Sequence, residues 1–178
     1  MDKNRIGNRF RTDLQKVGGA KFKGVIYRPS ISNDKGQNLS RQTRILKVSK
    51  NTSVELSDVI EGKSKTLFIC ADNGDGEVLG YDYKTFRLFL VDDLWDIERR
   101  VKTTDPVTGL ETGTTFEKVG EVYVSSEPSG QVMDRFNITQ PKQSLILSAE
   151  VKLGDRLNGK YTVERLEKRL GVLVAEVI

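Results

Sequence analysis

The stretch Val151–Lys160, V-K-L-G-D-R-L-N-G-K, repeats the pattern of Val54–Lys63, V-E-L-S-D-V-I-E-G-K. Val, Leu, Asp, Gly and Lys recur at matching places, and Leu157 stands where Ile60 does. Val and Leu two apart share one face of a strand. The Asp can hold a turn by accepting from backbone N–H groups. The Gly supplies backbone angles that other residues resist. This is a strand-turn-strand device, and a chain that uses it twice is a candidate for tandem duplication.

Two fainter echoes run in the same order. Gly24–Tyr27 (G-V-I-Y) matches Gly120–Tyr123 (G-E-V-Y), and G-E-V-L at Gly76 matches G-V-L-V at Gly171. A competing alignment sets T-L-F-I-C-A-D against S-L-I-L-S-A-E and Tyr83 against Tyr161, so strand grammar alone generates some of the likeness. Both alignments imply an all-β class, with short strands and turn clusters at short intervals. The expected architecture is a small β-barrel, or two in tandem, with a basic N-terminal arm and long loops.

The chain has 178 residues, room for one large domain or two small ones. The pattern divides it into four parts. Residues 1–19 form a basic arm with one short helical turn, in which Thr12 caps, Gln15 follows three later and Gly18-Gly19 stops. Residues 20–91 form a first barrel-like domain. Residues 92–115 form a junction with a projecting loop around D-P-V-T-G, and residues 116–178 form a second barrel-like domain. D-N-G-D-G-E, from Asp72, is the strongest hairpin turn. Asn33–Asn38 is a second turn or loop. No apolar run approaches the ~20 residues that span a bilayer. The opening residues lack the apolar core of a secretory signal, so no membrane role is expected, and the protein works in the compartment where it is made or is carried out as part of something else.

Most catalytic chemistry is excluded by composition. There is no histidine, which removes the commonest general base and a common metal ligand, and with them Ser-His-Asp and Cys-His catalysis. The one cysteine, Cys70, lies in an apolar run and reads as a small buried hydrophobe. Asp72, Asn73, Asp75 and Glu77 resemble a calcium loop until the spacing is checked: from Asp72, the third and fifth positions are Gly74 and Gly76. The carboxylates Asp92, Asp93, Asp96 and Glu98 lie beside Arg99 and Arg100, which favours ion pairing over acid–base work. No phosphate-binding glycine loop occurs. The expectation is no enzyme, no catalytic residue, no metal and no cofactor.

Charge is unevenly placed. Residues 1–50 hold 13 Lys and Arg against 3 acids, a net of +10, and the remainder carries −6. Arg5, Arg9, Arg11, Lys16, Lys21 and Lys23 are candidates to face DNA or an acidic partner. A solvated terminus is the other reading. Trp95, the only tryptophan, is a candidate interface anchor at the junction or a core residue.

From Gly120 onward the chain resembles the head-closure, or head–tail joining, proteins of tailed bacteriophages. The resemblance rests on G-E-V-Y with its later glycine turn, then G-D-R and an apolar residue, then Gly159, Tyr161 and Val163, and the closing hairpin G-V-L-V-A-E-V-I. It covers roughly residues 116–178, with a fainter echo over 20–90. The resemblance implies a structural virion protein, of head-closure, neck or collar type. Such a protein forms a homo-oligomeric ring between the portal or adaptor and the tail-tube or tail-terminator proteins, with packaged DNA in the lumen. It is assembled in the host cytoplasm. This chain departs in being longer than a single-barrel member and in its basic arm, so a tail or baseplate component is a second reading. A non-specific nucleic-acid-binding barrel is a third.

Overall fold

A computed structural model describes residues 11–28, 44–73, 83–126 and 143–178. The turn expected at Asn33–Asn38, the Gly-rich part of D-N-G-D-G-E, and the candidates Arg5 and Arg9 lie outside those residues. The described chain forms two compact units. One is Met1–Val91 with Arg169–Val172, and the other is Asp92–Lys168 with Leu173–Ile178.

The first unit holds β1 (Thr12–Lys16), β2 (Lys21–Tyr27), β3 (Arg44–Ser49), β4 (Val59–Glu61), β5 (Leu67–Asp72) and β6 (Tyr83–Leu90). They close into an antiparallel barrel in the order β1-β2-β3-β6-β5-β4. The second unit holds β7 (Asp93–Thr104), β8 (Glu111–Ser126), β9 (Gln143–Leu147), β10 (Arg156–Leu157), β11 (Tyr161–Arg169) and β12 (Val172–Val177). Its ring is β7-β8-β9-β12-β11-β10, the first order with six added to every number. In each, the fourth strand returns to lie beside the first, which is Greek-key connectivity.

The two barrels agree in register as well as order. Ile60 lies opposite Lys16 as Leu157 lies opposite Ile97. Val48 faces Gly24 as Leu147 faces Val124. Phe86 faces Leu46 as Ala175 faces Leu145. Phe68 faces Ile60 as Tyr161 faces Leu157. Followed once round, either ring returns displaced by about ten residues, so both share one stagger and therefore one strand tilt and girth.

The repeated motif occupies the same place in both rings. Asp58 Oδ2 accepts from the Glu55 amide at 2.8 Å, and Asp155 Oδ2 accepts from the Lys152 amide at 2.8 Å. Ser57 and Gly154 take left-handed backbone angles, φ 69 and φ 81. Their amides donate to Cys70 and Val163, whose own amides donate back to Asp58 and Asp155. A cation from the first strand of each barrel completes the motif. Lys16 Nζ lies 2.7 Å from Asp58, and Arg99 grips Asp155 through Nε and Nη2 at 2.9 and 2.8 Å. The echo at Gly24 does not share this register: Gly24 corresponds to Val124 rather than Gly120. The competing alignment fails too, because β5 corresponds to β11 rather than β9, and the echo at Gly76 lies outside the described residues.

Core residues correspond but differ in size. Leu46, Val48, Val54, Ile60 and Leu88 bury where Leu145, Leu147, Val151, Leu157 and Val177 do. The first barrel has Phe86 where the second has Ala175, and Gly24 where the second has Val124. A Cβ on Gly24 would meet Leu14 Cδ1 at 2.9 Å and Leu46 and Val48 at 3.1 Å.

Three expectations are corrected. Thr12–Lys16 is a strand, not a helical turn. Its ladders to β2 and β4 supply backbone partners that one isolated helical turn lacks. Gly18, at φ 69, turns a hairpin. Residues 92–115 are not a junction, because β7 and the start of β8 belong to the second barrel. That barrel therefore begins at Asp93 rather than 116, and the first at Thr12 rather than 20. The D-P-V-T-G turn does join two strands, as a hairpin tip in which Asp105 Oδ1 accepts from Val107 and Thr108.

Two stability outcomes follow. Gly24→Val, the residue of the equivalent place, overpacks the first barrel and destabilises it by about 2 kcal/mol in urea titration. Asp155 is buried, which alone would raise its pKa, but the Arg99 fork and the Lys152 amide outweigh burial and hold the carboxyl below the usual range. Its contribution is therefore full above the ordinary carboxylate pKa of ~4 and fades as pH falls through the lower folded-state value. Asp155→Asn lowers the stability of the second barrel by about 2 kcal/mol at pH 7 and flattens its acid limb, read by Trp95 fluorescence.

Candidate functional site

Two surfaces stand out once the barrels are in place. The first is the exterior of β2, β3 and β6, three neighbouring strands of the first barrel. Gly24, Leu46, Val48, Phe86 and Leu88 point inward. By alternation, Lys21, Lys23, Lys47, Tyr83 and Arg87 point outward. Val25 pairs with Lys47, Lys47 with Thr85, and Ile45 with Arg87, so these side chains share one sheet face. The Tyr83 ring has Lys47 Nζ 4.5 Å from its centroid and Arg11 Cζ 5.8 Å from it, within cation–π range. The three strands carry six Lys and Arg and no Asp or Glu.

The equivalent strands of the second barrel, β8, β9 and β12, carry Glu111, Glu117, Glu121 and Glu176 against a single cation, Lys118. Their carboxylates are largely neutralised locally, through Lys102–Glu111, Lys118–Glu121 and Arg165–Glu176. The Lys118 ammonium is held well above its usual pKa by its bonds to Asp96 and Glu121. Of these glutamates, Glu121 and Glu176 hold the places of Lys21 and Arg87, while Ile146, Val172 and Val174, at the places of Lys47, Tyr83 and Thr85, are buried, so the fold does not impose the basic face.

The second surface is the outer part of the β7–β8 hairpin. β7 pairs with β10 only at Ile97 and Glu98, and β8 with β9 only at Val124–Ser126. A bulge lies between Ile97 and Glu98. From Arg99 outward the two strands pair with each other and with no other described strand, over about 20 Å at the usual rise. Both faces are exposed from Glu111 to Thr115. The tip presents Val107 at 90% and Leu110 at 69% exposure. The base is fastened: Arg156 pairs with Glu98 at 2.6 Å and lies 4.1 Å over the Phe116 ring, with Arg100 also near that ring at 5.7 Å.

The sequence candidates divide between these surfaces and the cores. Lys21 and Lys23 are exposed on β2, and Arg11 also reaches the Tyr83 hydroxyl at 3.4 Å. Lys16 is the ion-pair partner of Asp58, a structural role. Trp95 stacks on Tyr161 at 4.9 Å, against the core of the second barrel. That is the core alternative, and it occupies the place equivalent to Leu14. Lys47, Arg87 and Tyr83 were missed, because they join Lys23 only through strand pairing.

The carboxylates near Asp92 do not converge. Asp92 accepts from the Ser126 amide, Asp93 from Trp95 Nε1, Asp96 pairs with Lys118 and Glu98 with Arg156. Among the described residues no group of three or more Cys, Asp or Glu could hold a metal ion, and no helix is long and apolar enough to cross a membrane. Cys70 is fully buried, and burial, reinforced by Asp58, pushes its thiol up to about 12. Comparison of the chain with protein-family models, with curated proteins and with solved structures found no match.

Proposed function

We propose that this chain is a structural virion protein of a tailed bacteriophage, a head–tail connector of neck, head-closure or collar type. In this reading it assembles as a homo-oligomeric ring between the portal or adaptor and the tail-tube or tail-terminator proteins. It encloses packaged DNA and is built in the host cytoplasm. The observation that carries the reading is the β7–β8 arm. A two-stranded ribbon exposed on both faces adds little to the core of its own barrel. Its unpaired edges and apolar tip suit contact with a neighbouring subunit. Rigid barrels with fixed stagger supply the repeated surfaces a ring needs, and a head-to-tail contact closes when the rotation per subunit is right. A tail or baseplate position uses the same device and differs in its neighbours.

The test is light scattering and negative-stain imaging over a concentration series, alone and with phage particles. The full chain forms rings, or forms them on particles. Replacing residues 104–112 by Asn-Gly, a two-residue turn joining Thr103 to Gly113, leaves both barrels folded and abolishes rings. A strict monomer that ignores particles, or rings unaffected by the shortened arm, overturns the proposal.

A further inference from the structure

We propose that the outer face of β2-β3-β6 binds the phosphate backbone of duplex DNA, without sequence preference, through Lys21, Lys23, Lys47 and Arg87. The site belongs to one barrel and does not rest on ring formation.

Three observations carry it. First, the charge is one-signed: the three strands hold six cations and no carboxylate. Across the flanking ladders the described acids are Asp13, opposite Lys23 on β1, and Asp72, opposite Phe86 on β5. Second, the second barrel is an internal control. With the same strand order and register, Glu121 and Glu176 stand where Lys21 and Arg87 do, and a buried Ile146 stands where Lys47 does, so the basic face is a property of these residues and not of the architecture. Third, the face is built for charge rather than for base stacking or apolar insertion. Arg11 and Lys47 lie against the Tyr83 ring, which leaves it a poor platform for a nucleobase. Tyr27 is the one exposed large apolar residue on these strands apart from Leu90 at the end of β6, too little for a surface that enters a lipid headgroup layer.

Duplex DNA presents one charge per ~1.7 Å of axis, about twice the density of a single strand. Cations two residues apart on one strand lie ~6.6 Å apart, and adjacent strands ~4.8 Å apart, so the four groups can meet several phosphates at once. Affinity arises from counterion release and falls steeply with salt.

The experiment is fluorescence anisotropy of the full chain with a labelled 25-base-pair duplex and its single strand at 50 and 200 mM salt. Four phosphate contacts predict about a 100-fold loss of affinity over that range, with the duplex bound more tightly than the single strand. The variant K23Q/K47Q/R87Q weakens duplex binding at 50 mM by at least tenfold and lowers the salt slope by about 2.7. The control K152Q/K160Q/K168Q removes the same charge from the second barrel and leaves binding within about twofold. Circular dichroism confirms folding of each variant, and light scattering of the same samples reports assembly. Binding by a chain that forms no ring supports the site while counting against the connector reading. The proposal is overturned by equal losses in both triple variants, by no loss in the first, by tighter binding to the single strand, or by capture on phosphatidylserine vesicles without DNA binding.

Discussion

Each barrel closes through an aspartate. β4 and β10 are the shortest strands, three and two residues long, yet each joins the first strand of its ring to the fifth. So short a strand has few ladder bonds with which to hold its register. Asp58 and Asp155 make up the deficit, each fixing the turn before the strand and drawing in a cation from the neighbouring first strand. In the second barrel the carboxyl is 2% exposed and gripped by both arms of a guanidinium. That bidentate geometry offsets the cost of desolvating the charge better than a point ammonium can. Without the closing strand each sheet would have two open edges, and its inward side chains would face water.

This device is also why part of the fold was legible in the sequence. Val54, Asp58 and Ile60 and their counterparts Val151, Asp155 and Leu157 are constrained by the same turn, so the same kinds of residue recur. Elsewhere the barrels share geometry without sharing residues. Phe86 and Ala175 occupy one place, as do Gly24 and Val124 or Leu14 and Trp95, because core filling constrains total volume more than individual identity. Strand periodicity revealed the class. It could not place Thr12–Lys16, a five-residue segment whose conformation is decided by its two neighbours. Nor could it join β7 to the second barrel, because beyond the bulge the arm buries little and loses the alternation that marks a half-buried strand.

The candidate surfaces were harder to read for a related reason. A run of cations near one end of a chain looks like an arm. Folding places Lys16 in an ion pair, carries Lys21 and Lys23 onto a sheet, and brings Lys47 and Arg87 beside them from distant segments. The basic face is a product of strand order, which no linear pattern contains. The β7–β8 ribbon was partly visible through D-P-V-T-G, where Asp105 and Gly109 fix the tip, but its length depends on where β9 and β10 stop pairing.

Burial of Cys70 has a consequence for how the molecule responds to its surroundings. Histidine is the side chain whose ordinary pKa puts its charge change between pH 5 and 8, and the chain has none. The thiol, which a more polar setting could bring into that range, is instead driven far above it by its place between β4 and β6. Acidification across the physiological range therefore meets no imidazole and no thiolate. The charge contrast between the two barrels is in effect permanent there, and ionic strength, rather than proton concentration, is what weakens or strengthens it.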